Sequence, residues 1–344
     1  MAEKKSKVTI YDISKEAGVS IATVSRVLND SSNVNPKTRE KINEVMAKMG
    51  YKPNAFARGL GLDTMKTIGI LCADSSDSYL AKAVYLIEEE LRQNNYDSLL
   101  CCTGYDFSNK QKALDLLISK KVDAAILVGS NFLDTQVSSN NNYIKEAAKS
   151  IPIMLLNACF ECPNVYSLFC DDLNATKSAV EFLVKKGRKK ILYLYSSKSY
   201  SGVKKLQGFR EALKENNLNL SDDYIVYCNS NRDDVNGFVK TIESVYESGL
   251  KFDAVVSSED YLAIAALKFA IKKGINVPKD LSIIGYNNSS IALMTQPEIT
   301  SVDNRLEALS KQLVATLLGV LEGKEMPAKT EYKGILIERD STES

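Results

Sequence analysis

The stretch VTIYDISKEAGVSIATVSRVLN, from Val8 to Asn29, decides the fold of the N-terminal part of this chain, because it reads as two short helices pivoting on a tight turn. Thr9 suits the N-cap of a helix whose third residue is Asp12, and Ile13 and Ala17 then share one face. Gly18, in the corner Ala17-Gly18-Val19, can take the positive φ that a residue with a Cβ resists, so the chain can turn sharply there. Ser20 caps a second helix in which Val24, Val27 and Leu28 fall at helical spacing toward the first. Ile21, Ala22, Ser25, Arg26 and Asn29 are left for the outer face. Short hydroxyls, an amide and a guanidinium are the side chains that read base edges and phosphates in a major groove.

A third helix follows, capped by Asn35, with Pro36 at its first position, an apolar stripe of Ile42, Val45, Met46 and Met49, and Gly50 as its stop. Residues 1–62 hold 11 Lys and Arg against 6 Asp and Glu, whereas the remainder holds 33 against 37. A basic head on a slightly acidic body suits a polyanion-binding module carried by a domain with another task. Next comes PNAFARGLG, Pro53 to Gly61. Nine residues carrying Gly59 and Gly61 are too few for a stable isolated helix, since each Gly costs about 1 kcal/mol against Ala. The segment is therefore expected to be disordered alone, as a hinge or as a plain tether.

Three linked motifs, VTIYDISKEAGVSIATVSRVLN, NPKTREKI and YKPNAFARGL, resemble in order the DNA-binding headpiece of the LacI/GalR family of bacterial transcription regulators, from about Thr9 to Leu60. A helix-turn-helix alone is a weak signal; three motifs in the family's order are far more specific. The resemblance extends the DNA-facing set to Thr9, Tyr11, Ser20, Thr23, Thr38, Tyr51, Asn54, Arg58 and Leu60. It implies that the hinge folds against a dimer mate on the operator and that Leu60 wedges into the minor groove. Double-stranded operator DNA, a second copy of the chain and a small molecule, by family a carbohydrate, are the implied partners.

With 344 residues, 44% hydrophobic and 25% charged, the chain exceeds one ordinary domain. From Thr67 onward, strand-like runs TIGILCA, SLLCCTGY, AAILVGS and PIMLLNA, then VYSLFCD, ILYLYSS, YIVYCNS, AVVSS and SIIGYN, alternate with amphipathic segments. That alternation predicts parallel sheets covered on both faces, too many strands for one open sheet. The expected fold is α/β: a three-helix helix-turn-helix domain at 1–52, a hinge and linker at 53–65, and a core at 66–344. The core resembles the periplasmic-binding-protein-like core of the family, with one subdomain at about 66–170 and 299–328 and another at 171–298 and 329–344. Leu306, Leu309, Leu313 and Leu317 form the stripe of the segment that crosses back.

The sequence contains no His, the commonest general base, and no GxGxxG, GxxxxGK[ST] or GxSxG motif. Catalysis is therefore disfavoured. No cofactor is implied. A single CxxC, Cys159 and Cys162, is a poor zinc signal without a second pair or a His, so no metal site is expected and cysteine is read as core. Neither an export signal nor about 18 successive apolar residues occurs, which points to a cytoplasmic protein with no membrane partner. Three readings remain in order: a ligand-responsive DNA-binding regulator, a DNA-binding protein without a small effector, and an α/β enzyme.

By family position the effector candidates are Asp74, Ser75, Tyr79, Ser130, Asn157, Lys205, Arg232, Glu259, Asp260 and Asn287, which follow strand ends. Polar strand ends facing solvent are the alternative for each. Lys205 stands where the family has Arg, Asn287 where it has Asp and Glu259 where it favours Asn. Lysine lacks the planar fork that clamps two hydroxyls, and Asn287 drops a negative charge. These two changes predict an anionic or strongly accepting ligand, unless Glu259 pairs with Lys205.

Overall fold

The computed structural model describes residues 8–28, 33–51, 64–229 and 234–342. The headpiece has helices α1 (Ile10–Ala17), α2 (Ile21–Leu28) and α3 (Pro36–Met49). Thr9 and Asp12 close a capping box, and Gly18, at φ 63°, takes the left-handed conformation that ends α1. The hydroxyl of Ser20 accepts the Thr23 amide at 3.1 Å and starts α2. Ile13, Ala17, Val24 and Ile42 are fully buried where the three helices meet, and Leu28, Met46, Met49 and Tyr51 pack around them. So small a core stays closed because each helix contributes one apolar stripe to it and the caps satisfy the ends.

The core contains two six-stranded sheets. The first is built from β1 (Thr67–Cys72), β2 (Asp97–Cys102), β3 (Ala124–Val128), β4 (Ile153–Leu156), β5 (Val165–Cys170) and β11 (Lys329–Tyr332), in the order β11-β5-β4-β3-β1-β2. The second is built from β6 (Ile191–Tyr195), β7 (Ile225–Tyr227), β8 (Ala254–Ser257), β9 (Ser282–Tyr286), β10 (Thr300–Asp303) and β12 (Ile335–Ile337), in the order β12-β10-β9-β8-β6-β7. The two orders are the same, strand for strand. Pairing is parallel from β1 through β3, β4 and β5 to β11, whereas β12 runs antiparallel to β10.

Helices α4 (Ser78–Gln93), α5 (Phe107–Ser119), α6 (Asn142–Ala148), α7 (Asp172–Lys185), α8 (Tyr200–Glu215), α9 (Val235–Glu247), α10 (Asp260–Lys273), α11 (Ser290–Leu293) and α12 (Leu306–Leu321) complete the core. Strands such as β3, β4 and β9 are buried at every residue, which is why they read as unbroken apolar runs. Helix α12 packs on α4, β4 and β5 through Leu309, Leu313 and Leu317, and so belongs with the first sheet. Gly208 lets α8 approach the N-terminus of α7; a Cβ there would sit 2.1 Å from the Leu173 carbonyl oxygen.

The subdomain limits differ from the sequence reading in two places. Thr300–Asp303, assigned above to the first subdomain, is a strand of the second sheet, so the return crossing lies after Asp303 rather than at 299. Lys329–Tyr332, assigned to the second, pairs with β5 of the first. The first error arises because TSVD is polar, yet buried: Thr300 Oγ1 donates to the Arg339 carbonyl at 3.0 Å and Ser301 Oγ to Asp260 at 2.6 Å. With its hydroxyls satisfied internally, the strand needs no apolar run. KTEY is a half-exposed edge, and edges carry polar residues.

Candidate functional site

On the headpiece, α2 buries Val24 and Val27 and presents Ile21, Ala22 and Arg26 outward, with Ile21 40% exposed. Tyr11 on α1 is 68% exposed and Ser20 is exposed at the head of α2. Thr23, Ser25 and Thr38 are half-buried, and Thr23 shares a 2.8 Å hydroxyl contact with Ser20. Thr9, exposed at the head of α1, is its cap, with its hydroxyl donating to Asp12 Oδ2 at 2.7 Å. That bond holds the Asp12 carboxyl below the usual range. Tyr51 packs against the headpiece core. Asn29, Asn54, Arg58, Leu60 and Arg232 lie outside the described residues.

In the core, the carboxyl ends of the strands in both sheets open on one cleft of about 610 Å³. Such crevices are where open parallel sheets bind ligands. Seven of the ten residues expected there line it: Asp74, Tyr79, Ser130, Asn157, Lys205, Glu259 and Asn287. Ser75 is not among the lining residues. Asp260 is not either, and the reason is specific. Its carboxylate is buried and accepts bonds from the Ser289 amide at 2.8 Å and from the hydroxyls of Ser289 and Ser301 at 2.6 Å. It pins β10 and the loop after β9 from behind. Burial pushes its pKa up, against these hydrogen bonds.

The floor of the cleft is an amide and phenol cluster. Asn157 and Asn287 follow the equivalent strands β4 and β9, each at a positive φ (65° and 96°), a conformation asparagine tolerates better than most residues. The Tyr79 hydroxyl oxygen accepts the side-chain amide of Asn157 at 2.6 Å and that of Asn304 at 2.7 Å. Asn304 also donates to Asn287 Oδ1 at 3.2 Å. Its own Oδ1 is buried and has no hydrogen-bond partner among the described residues. Because the phenol oxygen accepts two bonds, its O–H remains to donate outward. Ser130 of the first lobe donates to Ser199 of the second at 2.9 Å, so both lobes meet in this floor.

Lys205 lines the cleft but is itself buried. Its ammonium donates to the Ser258 carbonyl at 3.0 Å and lies 3.7 Å from the centre of the Tyr286 ring. Below it, the Tyr286 hydroxyl donates to buried Asp172 at 2.5 Å. Burial pushes the Asp172 carboxyl up, while the Lys205 charge pulls it down. Glu259 takes the Ser196 hydroxyl. Lys110, buried under the loop after β3, donates to the Asn131 carbonyl and sits 4.1 Å from the Phe107 ring centre. Burial brings its pKa down to about 8.

Sequence reading missed Asn304 because it follows the strand that went unread, and missed Ser196, Ser199 and Lys110 because nothing in their local pattern marks them. The aromatic residues Tyr105, Phe107, Tyr227 and Tyr261 also line the cleft. The cysteines are free thiols: Cys72, Cys170 and Cys228 are buried, Cys101, Cys159 and Cys162 half-buried, and Cys102 exposed. No helix among the described residues is long and apolar enough to cross a membrane.

Residues 9–54 match the family described as bacterial regulatory proteins, lacI family, and residues 180–342 match a periplasmic binding protein-like domain. The chain is 51% identical over 333 residues to an HTH-type transcriptional regulator of Lachnoclostridium phytofermentans, covering 97% of this chain and 99% of the relative. It belongs to the lacI family of bacterial regulatory proteins. Catabolite control protein A of Priestia megaterium is 32% identical, covering 86% of this chain and 87% of that protein. The fold matches a crystal structure of the lac repressor dimer bound to operator and the anti-inducer ONPF, with a TM-score of 0.85 at 23% identity, covering 98% and 99% of the two chains. The chain is a DNA-binding transcription regulator. Its relatives are regulators rather than enzymes, which disposes of the catalytic reading.

Proposed function

We propose that this lacI-family member is a homodimeric cytoplasmic repressor whose operator affinity is set by a neutral carbohydrate held in the core cleft. The observation that carries the reading is the floor built by Tyr79, Asn157, Asn287 and Asn304, with donors and acceptors interleaved and contributed by both lobes. Vicinal hydroxyls, each both donor and acceptor, suit such a floor. A ligand that bridges two lobes favours one relative arrangement of them, which is the means by which it alters a distant affinity. Against the anionic ligand expected from Lys205 stands the fact that its ammonium already donates to the Ser258 carbonyl and rests on the Tyr286 ring, which leaves it less to offer an anion in the cleft.

On the headpiece, Tyr11, Ser20, Ile21, Ala22, Thr23, Ser25, Arg26 and Thr38 are the DNA-facing set, with Ile21 and Ala22 making apolar contacts to base edges and Arg26 reaching a base or phosphate. One headpiece reads a half-site, so a two-fold dimer on a roughly palindromic operator follows. The test is a melting-temperature screen of the intact protein against neutral, acidic and phosphorylated sugars, paired with operator gel shifts. A neutral sugar that raises the melting point and changes operator affinity supports the reading. Stabilisation confined to acidic or phosphorylated sugars would restore the anionic ligand, and no response to any sugar would favour a regulator without a small effector.

A further inference from the structure

We propose that the effector is an oligosaccharide of at least two sugar rings, one seated on the polar floor and the next stacked on an aromatic rim formed by Tyr227 and Tyr105. This rests on the carbohydrate reading above and specifies its ligand. The cleft has two zones of different chemistry. Its floor is polar and buried, with Asn304 only 4% exposed, whereas its rim carries aromatic rings in the open, Tyr105 at 58% and Tyr227 at 40%. A single ring on the floor leaves those rim surfaces in water. Large aromatic faces left exposed around a pocket mark surface that a partner covers. The volume of about 610 Å³ is also roughly twice the lower limit of ~300 Å³ for pockets that enclose small ligands.

The Tyr227 ring is held from beneath. Phe209 and Tyr193, both fully buried in the second lobe, stack with centroids 4.7 Å apart and planes 23° from parallel. Tyr193 stacks on Tyr195 at 5.9 Å and 22°, and Tyr195 meets Tyr227 at 5.1 Å. This ladder runs from the core to the cleft, so the outermost ring loses little freedom when a ligand covers it. Tyr227 ends β7 and Tyr105 follows β2, the equivalent edge strands of the two sheets. Tyr105 lines the cleft together with two carboxylates, Asp74 of its own lobe and Glu259 of the other. The C–H face of a pyranose packs on such rings while its hydroxyls reach the flanking carboxylates. Lys198 is exposed, with its ammonium 5.0 Å from the Tyr227 ring centre, and a sugar ring stacked on Tyr227 displaces it.

Calorimetric titration of the intact protein with glucose, xylose, galactose and mannose, each beside its di- and trisaccharides, tests the proposal. In one series the disaccharide should bind at least about tenfold more tightly than the monosaccharide. Tyr227→Ala and Tyr105→Ala should each reduce that gain to about twofold or less, and Tyr227→Phe should keep it, since stacking needs the ring and not the hydroxyl. A monosaccharide that binds as tightly as its oligomers, or a length gain that survives both alanine variants, overturns the oligosaccharide assignment while leaving the carbohydrate reading in place. Binding of no saccharide of either length overturns the carbohydrate reading itself.

Discussion

Ile21 and Arg26 stand on the same exposed helix face with opposite chemistry, and that difference is testable. Exchanging Ile21 and Ala22 together for Gln and Ser should change which operator is preferred and leave nonspecific affinity nearly unchanged, because apolar base contacts carry sequence information and phosphate contacts do not. Competition gel shifts on randomised operators provide the measurement; equal weakening on all sequences would remove these residues from the reading face. Arg26→Ala should weaken operator binding by about 1–3 kcal/mol if it grips a base. In the core, Lys110 has a pKa depressed from 10.5 to about 8. The unfolded chain therefore holds more protons than the folded one between those values, and the stability Lys110 contributes is lost as pH falls from 10.5 to about 8. Urea midpoints of wild type measured against Lys110→Met should accordingly favour wild type increasingly from pH 8 to 10.5. A pH-independent difference would show that the ammonium is not buried as described.

At the scale of elements, the capping box and the α7–α8 packing set local stability. Thr9→Ala removes both the hydroxyl that accepts the Asp12 amide and its bond to the Asp12 carboxylate, and should cost the headpiece about 1 kcal/mol. Thermal melting of the headpiece followed by circular dichroism would detect it. Gly208→Ala places a methyl 2.1 Å from a backbone carbonyl oxygen, which no side-chain rotation relieves. Helix α8 must then shift, at a cost of about 1–3 kcal/mol, and it carries Lys205 and the Ser201 end of the cleft wall. A lower melting point together with weaker ligand binding is expected. An unchanged melting point would mean that α7 and α8 pack less closely than described.

At the scale of the molecule, head and body should separate in function. A fragment of residues 63–344 keeps the two sheets and the cleft residues, so it should retain a ligand-induced rise in stability, about 2.7 kcal/mol at a ligand concentration of 100 Kd, while losing operator binding. If the fragment still bound operator, the headpiece assignment would fail. Intact protein that sediments only as a monomer at micromolar concentration would count against the dimer, and with it the palindromic operator.

The sequence by itself determined the headpiece, because its information is local. A capping residue at Thr9, a glycine at the corner and apolar spacing along α2 each act within a few residues, so they read the same in the chain as in the structure. The alternation of apolar runs with amphipathic helices likewise announced parallel sheets, since strands buried on both faces have no polar partner positions. Tertiary structure alone decided where the chain crosses between sheets. Thr300 and Ser301 look like loop residues until Arg339 and Asp260, some forty residues away, satisfy their hydroxyls. It also decided which polar strand ends bind and which only brace. Asp260 and Glu259 are neighbours, yet one is consumed by Ser289 and Ser301 while the other lines the cleft. Lys205, whose charge suggested an anion, is turned onto Tyr286 and the Ser258 carbonyl. The physical reason is common to all three: a polar side chain's role is set by which groups compete for its hydrogen bonds, and in this fold those groups come from distant segments.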